Sequence, residues 1–211
     1  MRVIKPVKIN GFEIYKGLLS RAAQAEMVLS LRHIVSQAPL VSPVTPSGKP
    51  MSVRMTSAGR LGWVTDRSGY RYQATHPSGN SWPALPRQIA EIWHGVTQET
   101  RVPDSCLINY YDEHAKMGLH QDKDEGTFDF PVVSISLGDE ALFRMGQPER
   151  GGKTQSIWLS SGDVVVMGGA ARLAYHGIDK LRFGSSGLLR RGGRLNVTLR
   201  VVDQDTRAQI S

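Results

Sequence analysis

The stretch Arg194-Leu195-Asn196-Val197-Thr198-Leu199-Arg200 alternates polar and apolar residues without a break. A period of two is that of a half-buried β-strand, so the polar side chains share one face and the aliphatic ones share the other. The polar face has two interpretations. It is either a solvated surface with two arginines, or the polar wall of a barrel that faces a small anion. Both predict a β-rich fold.

Shorter strand patterns, separated by turn residues, precede this stretch. The predicted strands cover residues 105–111, 117–122, 132–138, 141–145, 155–159, 163–167, 171–176 and 194–202. Eight short strands favour a mainly β fold, the double-stranded β-helix or jelly roll. Two N-terminal helices are expected to flank it. One follows Ser20, a plausible N-cap, and runs to about residue 37, and the other covers the apolar spacing from Leu85 to Val96.

The 211 residues are predicted to form a single domain, 1–211. Within it, the segment 39–50 carries four prolines, and 51–75 has short strands interrupted by glycines. These features indicate a lid at about 39–80, and the jelly-roll core is expected at about 104–203.

The chain is basic, with a formal net charge of +7 and a pI of about 9.8. A basic balance favours a polyanionic partner, although it also serves plain solubility. The only cysteine is Cys106, so no internal disulfide can form, and a reducing compartment is expected. No apolar run reaches membrane-spanning length. We therefore expect a cytoplasmic monomer that binds no membrane.

A His-x-Asp pair at His120 and Asp122 is followed far downstream by His176. Two imidazoles and one carboxylate can occupy one face of an octahedral ferrous ion and leave the other face open for a co-substrate and dioxygen. In an extended strand, His120 and Asp122 would point the same way. The pair alone is a weak signal, more typical of two solvated residues in a loop.

The arginine strand strengthens the metal interpretation. A guanidinium grips a carboxylate through two parallel hydrogen bonds, so a dicarboxylate such as 2-oxoglutarate could bind the metal at one end and an arginine at the other. Asn109 and Tyr111 share one face of another predicted strand and could bind the same acid. The alternative is an ordinary barrel strand with a satisfied tyrosine.

With these motifs, the chain resembles the AlkB family of Fe(II)- and 2-oxoglutarate-dependent dioxygenases over roughly residues 45 to 202. The matching blocks include Leu119 to Glu125, Tyr175-His176-Gly177 and the Arg-x-Asn-x-Thr-x-Arg strand. The resemblance implies three cofactors and co-substrates: Fe(II), 2-oxoglutarate and O2. It makes His120, Asp122 and His176 the metal ligands and catalytic residues, together with Arg200, which would pair with the distal carboxylate. The rest of the acid's pocket would be Asn109, Tyr111, Arg194, Asn196 and Thr198.

The resemblance also implies a substrate site. Trp63 and Tyr70 would sandwich a flipped base, Asp124 would read its exocyclic amine, and the remaining substrate-binding residues would be Thr45, Met51 and Glu125. The implied activity is oxidative demethylation of N1-methyladenine or N3-methylcytosine in single- or double-stranded DNA, releasing formaldehyde and succinate. RNA or a protein side chain are alternative substrates on the same scaffold. A non-catalytic nucleic-acid-binding barrel is an alternative from another class.

Overall fold

The structure is a computed structural model that describes residues 4–203. In this range the chain forms two α-helices, α1 (Arg21–Gln37) and α2 (Arg87–Thr97), and a short 3-10 helix (Gly169–Ala171). The strands are β1 (Val7–Ile9), β2 (Phe12–Tyr15), β3 (Arg54–Gly59), β4 (Gly62–Asp66), β5 (Gly69–Gln73), β6 (Ser105–Tyr111), β7 (Met117–His120), β8 (Val132–Gly138), β9 (Glu140–Met145), β10 (Gln155–Leu159), β11 (Val164–Met167), β12 (His176–Arg182) and β13 (Arg194–Arg200).

Two antiparallel sheets form the body of the molecule. One has the order β1-β2-β11-β8-β13-β6-β3, and the other has the order β10-β9-β12-β7. Strands β6 to β13 thus divide equally between the two sheets. The predicted mainly β fold is confirmed, and the arrangement is consistent with a jelly roll.

Two apolar clusters hold these layers together. One packs the seven-stranded sheet against both helices and includes Met27, Trp93 and Val197. The other joins the two sheets and includes Val165 of the large sheet and Phe143 of the small one. Each face of the large sheet is therefore covered, one by helices and one by strands.

Strand β13 lies between β8 and β6 in the middle of the large sheet. Its aliphatic residues Leu195, Val197 and Leu199 belong to the helix-side cluster. Its polar residues line a cavity between the sheets, as the barrel interpretation of the alternation predicted, and these are Arg194, Asn196, Thr198 and Arg200. The surface interpretation is wrong, since Arg194 and Arg200 are 0% and 5% exposed.

The predicted first helix is observed. The Ser20 side chain accepts a hydrogen bond from the Ala23 backbone N–H at 3.2 Å, which caps the helix N-terminus. The second helix begins directly after Pro86 and ends at Thr97, and the next residue, Gln98, caps it in the left-handed conformation with φ of 60°. No helix among residues 4–203 is both long and apolar enough to cross a membrane.

The strand predicted at 171–176 is wrong. The chain there forms the 3-10 turn and a connection, and β12 begins at His176 instead of ending there. Gly169 takes a positive φ of 50°, which starts the turn. Arg172 then points inward and donates to the backbone oxygens of Phe130 and Asp122, at 2.8 and 2.7 Å. A buried arginine that holds two loops replaces the expected strand.

Strand β7 is also shorter than predicted. It ends at His120, so Asp122 lies in the following loop and not on the same strand. The Gln121 side chain donates to the carbonyl oxygen of Leu173 at 2.6 Å, and Arg172 holds that of Asp122. These side-chain bonds replace the ladder beyond His120.

The segment expected to form the lid has two parts. Strand β3 belongs to the large sheet, where it pairs with β6 at the edge. Strands β4 and β5 form a separate hairpin, with Trp63 opposite Tyr72 and Thr65 opposite Tyr70. This hairpin is the part of the segment that remains a candidate lid.

Candidate metal and dicarboxylate site

His120, Asp122 and His176 converge from two places in the fold, the end of β7 with the loop that follows it and the start of β12. One ligand atom from each lies within 4.8 Å of the others. The Nε2 atom of His120 is 3.7 Å from Oδ1 of Asp122, and the Nε2 atom of His176 is 3.8 Å from Oδ2. Register explains the meeting of the histidines, because His176 is the direct partner of His120 in the β12–β7 ladder.

The hydrogen bonds of both imidazoles leave Nε2 available for a metal. Nδ1 of His120 lies 2.9 Å from the Gly118 carbonyl oxygen, and Nδ1 of His176 lies 3.1 Å from that of Ala174. A carbonyl only accepts, so each Nδ1 must carry the proton. Fixing a metal-binding histidine in this way is the usual role of its neighbours. The group fits a divalent metal, because two imidazole nitrogens and one carboxylate are a donor set that ferrous iron accepts.

The electrostatics hold these ligands in their binding forms. Burial raises the pKa of Asp122, but Arg200 and the two histidines lower it more, so the pKa lies well below its usual range. Burial, assisted by His120, lowers the pKa of His176 to about 4. Near neutral pH the carboxylate is therefore charged and this imidazole is neutral, as metal coordination requires.

Arg200 lies beside the metal-ligand carboxylate. Its NH2 is 2.8 Å from Oδ2 of Asp122, and its Nε is 3.0 Å from Oε1 of Glu125. Glu125 is shared further, since the Tyr72 hydroxyl donates to it at 2.8 Å and Arg172 lies 3.3 Å away. Burial lowers the pKa of Arg200, but Asp122, Tyr72 and Glu125 raise it to well above its ordinary value. These contacts form a buried network of alternating charges.

Arg194 occupies the opposite end of β13 in a different environment. Its NH2 donates to Oγ of Ser136 at 2.6 Å and its NH1 to the carbonyl oxygen of Asp139 at 3.3 Å, while Nε has no partner. No carboxylate within residues 4–203 forms an ion pair with it. Burial lowers its pKa to about 10. A buried guanidinium without a counter-ion is suited to an anionic ligand.

A cavity of about 380 Å³ connects the three metal-ligating groups with Arg194. Asn196 lies on its wall, where it donates to Oγ of Ser134 at 2.6 Å and accepts from the hydroxyl of Thr198 at 2.9 Å. Asn109 and Tyr111 line the same cavity, and the amide oxygen of Asn109 has no partner. The cavity therefore presents unsatisfied donors and acceptors to a small polar molecule.

Comparison with known proteins identifies this arrangement. The family model described as the 2OG-Fe(II) oxygenase superfamily matches residues 11–200. The chain belongs to this superfamily. It is an Fe(II)/2-oxoglutarate-dependent dioxygenase of the AlkB kind, because its similar proteins include two that carry that name at high identity.

The dioxygenase is 47% identical to the "Alpha-ketoglutarate-dependent dioxygenase AlkB homolog" of Caulobacter vibrioides, with 94% of this chain and 91% of that protein covered. It is 42% identical to the "Alpha-ketoglutarate-dependent dioxygenase AlkB" of Escherichia coli, with 77% of each covered. It is 29% identical to the "DNA N(6)-methyladenine demethylase ALKBH1C" of Arabidopsis thaliana, with 94% of this chain and 49% of that protein covered. A solved structure, "The structure of OsALKBH1", superposes with a TM-score of 0.81 at 28% identity, covering 93% of this chain and 99% of that one.

Five of the six residues expected to bind substrate in this oxygenase line the cavity, and one of these five, Glu125, is buried in the network around Arg200. Trp63 and Tyr70 of the hairpin stack on each other, with ring centroids 5.6 Å apart and planes 18° from parallel. The indole N–H of Trp63 donates to Oδ2 of Asp124 at 2.8 Å. Met51 also lines the cavity. Thr45 does not, because its hydroxyl lies 2.9 Å from that of Ser47 in a separate turn.

Two residues of the oxygenase site were not found from the sequence. Tyr72 lines the cavity and binds Glu125, and Arg172 supports both Glu125 and the Asp122 loop. Tyr72 has a sequence signal, since it lies two residues after Tyr70 and so shares its strand face. Arg172 has none, because a single arginine in a small-residue segment is typical of a surface turn. Met117 and Met167 both lie on the cavity wall.

Proposed function

We propose that this dioxygenase removes N-alkyl groups from nucleobases by oxidation, with DNA as substrate and RNA as the alternative. The observation that carries the proposal is the shared cavity. At one end are three metal-ligating groups, at the other is an arginine without a counter-ion, and at the mouth is a pair of stacked aromatic rings beside a carboxylate. We also propose that residues 1–211 form a single Fe(II)/2-oxoglutarate dioxygenase domain.

His120, Asp122 and His176 would hold the iron through Nε2, one carboxylate oxygen and Nε2. Bound iron, together with 2-oxoglutarate and dioxygen, would supply the oxidation of an N-methyl group, which then leaves as formaldehyde. The chain's own part is to orient the ligands. The carbonyls of Gly118 and Ala174 keep each Nδ1 protonated, and burial excludes water from His176 and Asp122.

For 2-oxoglutarate, the geometry favours an assignment that differs from the sequence expectation. Arg200 was expected to pair with the distal carboxylate, but it is already paired with Asp122 and Glu125. Arg194 is buried and lacks a carboxylate partner. Arg194 therefore serves better as the distal clamp, and Arg200 would steady the metal-binding end. Asn109, Tyr111, Asn196 and Thr198 supply polar contacts along the cavity between them.

The aromatic pair would receive the base. The mutual stack of Trp63 and Tyr70 presents flat faces at the cavity mouth, and stacking contributes roughly 1–3 kcal/mol per base. Asp124 fixes the indole and adds a negative charge beside it. N1-methyladenine and N3-methylcytosine are cationic, so this charge favours them over neutral bases. Glu125 is committed to the buried network, so it acts on substrate only indirectly.

Mass spectrometry of an oligonucleotide that carries N1-methyladenine tests the proposal. With Fe(II), ascorbate and 2-oxoglutarate, the protein should remove one CH2 unit and produce an equal amount of succinate. Asp122→Ala should abolish both. The matched control is Asp112→Ala, because Asp112 is an exposed turn carboxylate outside the cavity lining. Succinate without loss of CH2 from either DNA or RNA would refute the substrate assignment, and no succinate from the iron-loaded protein would refute the dioxygenase chemistry here.

A further inference from the structure

A second cavity, of about 550 Å³, lies on the helix side of the large sheet. Its walls come from α1, β3, β6 and the loop that precedes β13, and we call it the arginine groove. Its lining residues are Arg32, Arg54, Tyr110, Leu189, Arg190, Arg191, Gly192 and Leu195. Tyr110 and Leu195 point away from the dicarboxylate cavity, since their neighbours Tyr111 and Arg194 line that cavity from the other face. The two sites are thus back to back across one sheet.

The groove is basic and its charges are free. All four of its arginines are exposed, and the structure shows no ion pair or side-chain hydrogen bond of their guanidinium groups within residues 4–203. No acidic residue is among the lining residues. Exposed arginines elsewhere are of both kinds, since Arg182 is paired with Glu140 whereas Arg21 forms no ion pair among residues 4–203, so the groove differs by placing four arginines around one concavity. Four like charges around one concavity repel each other unless an anion binds there.

The loop that carries two of these arginines is held in place from below. The carboxylate of Asp139, which is fully buried, accepts hydrogen bonds from the backbone N–H groups of Gly193, Ser186 and Gly184, at 2.7, 2.8 and 3.0 Å. Gly193 also has a positive φ of 88°, and a Cβ there would lie 2.6 Å from the Tyr111 carbonyl oxygen. Arg190 and Arg191 are therefore presented by an ordered loop, which lowers the entropic cost of binding.

The groove also offers a stacking surface. The guanidinium of Arg54 lies 4.8 Å from the centre of the Tyr110 ring. Arginines that contact phosphates, combined with a flat aromatic or guanidinium face, are the means by which proteins hold single-stranded nucleic acid without regard to sequence. A free small anion would need only one or two of these arginines. The extended arrangement of the four suits a polyanion with spaced charges.

The position of β3 connects the groove with the catalytic cavity. This strand is at the edge of the large sheet. Met51 and Met55 line the catalytic cavity on one side, while Arg54 lines the groove on the other. A single nucleic-acid strand that passes over the beginning of β3 can therefore reach both the groove and the catalytic cavity. We propose that the arginine groove binds the phosphodiester backbone of the single strand whose alkylated base enters the catalytic cavity. This inference rests on the proposed function.

Salt-dependent binding of unmodified single-stranded DNA tests the groove separately from catalysis. Fluorescence anisotropy would compare labelled oligonucleotides of roughly 16 and roughly 4 nucleotides. The variants are Arg190→Ser/Arg191→Ser and Arg54→Gln. The control Lys5→Ser/Arg21→Ser removes the same charge from exposed residues outside the groove. Two lost phosphate contacts should reduce the slope of log K against log salt by about 1.4. Between about 50 and 200 mM salt, the factor by which affinity falls should therefore be about seven times smaller for the double variant than for the wild type.

The expected result is a reduced slope for the long oligonucleotide only, with the control unchanged and with wild-type turnover of a short methylated oligonucleotide. An unchanged slope, or an equal reduction in the control, would overturn the groove even if demethylation is normal. A reduced slope in a protein that fails to demethylate would refute the proposed activity and leave the groove as a nucleic-acid site. An equal reduction of the slope for the long and the short oligonucleotide would place the arginines beside the catalytic cavity. It would refute the proposed path of the nucleic-acid backbone through the groove.

Discussion

Replacing each arginine of β13 with methionine should change stability in opposite directions. Arg194 is buried without a counter-ion, and the lowering of its pKa by burial from its ordinary value to about 10 corresponds to a cost of about 3 kcal/mol for keeping it charged. Its hydrogen bonds to Ser136 and Asp139 offset part of that cost. We therefore expect Arg194→Met to raise the free energy of unfolding of the metal-free protein by about 1–2 kcal/mol.

Arg200→Met should do the reverse. It would leave the carboxylates of Asp122 and Glu125 buried beside each other with less compensation, and breaking such a buried pair costs about 3–5 kcal/mol. The same substitution at two positions on one strand face thus distinguishes an arginine that completes an ion-pair network from one that lacks a counter-ion until a ligand binds.

Chemical denaturation of the two metal-free variants measures this difference. Thermal denaturation with Mn²⁺ adds the ligand side: 2-oxoglutarate at about 100 times its Kd should raise the wild-type melting temperature by about 5–10 °C and leave Arg194→Met unchanged. A metal-free Arg194→Met protein less stable than the wild type, or one that 2-oxoglutarate stabilises as fully, would refute the assignment of Arg194 as a clamp without a counter-ion.

Three further predictions follow from other parts of the site. Burial lowers the pKa of His176 from 6.5 to about 4, so between these pH values the unfolded chain binds a proton that the folded protein does not. The free energy of unfolding of the metal-free protein should therefore fall by up to about 3 kcal/mol as the pH decreases from 6.5 to about 4. Denaturation of His176→Gln should show a shallower fall. Gly177→Ala would place a Cβ 2.5 Å from the Met117 carbonyl oxygen and push β12 away from β7. Calorimetry should therefore show that this variant binds the metal at least about tenfold more weakly. The control Gly187→Ala, whose Cβ would lie in open space, should bind the metal as the wild type does. Asp124→Asn should lower kcat/KM about tenfold more for cationic N3-methylcytosine than for a neutral methylated base, and an equal loss for both would exclude charge recognition.

The sequence predicted those parts of the fold that depend on periodicity. The alternation in β13 and the Ser20 cap both translate directly into observed structure, because each depends on neighbours along the chain. The start of β12 was missed for the opposite reason. Its position depends on the inward turn of Arg172, whose partners lie 42 and 50 residues away. No local pattern contains that information.

The same distinction applies to the site. The family resemblance selected His120, Asp122 and His176, and the structure brings them together, yet the strand geometry first used to pair His120 with Asp122 does not hold. Which of two arginines faces a carboxylate cannot be inferred from a repeating pattern that treats both alike. Glu125 illustrates this further: its acidity was evident, but its burial among Arg200, Arg172 and Tyr72 depends on three distant segments.

The central place of β13 links correct folding to a working site. Paired on both edges with β8 and β6, it has one side chain set against the helices and the next set toward the ligand. A shift of the register by one residue would exchange the two sets, burying the guanidinium groups in the apolar cluster and placing leucines where the keto-acid would bind. Such a misaligned molecule could not remain folded, so every stable copy carries its anion clamp already assembled before any ligand arrives.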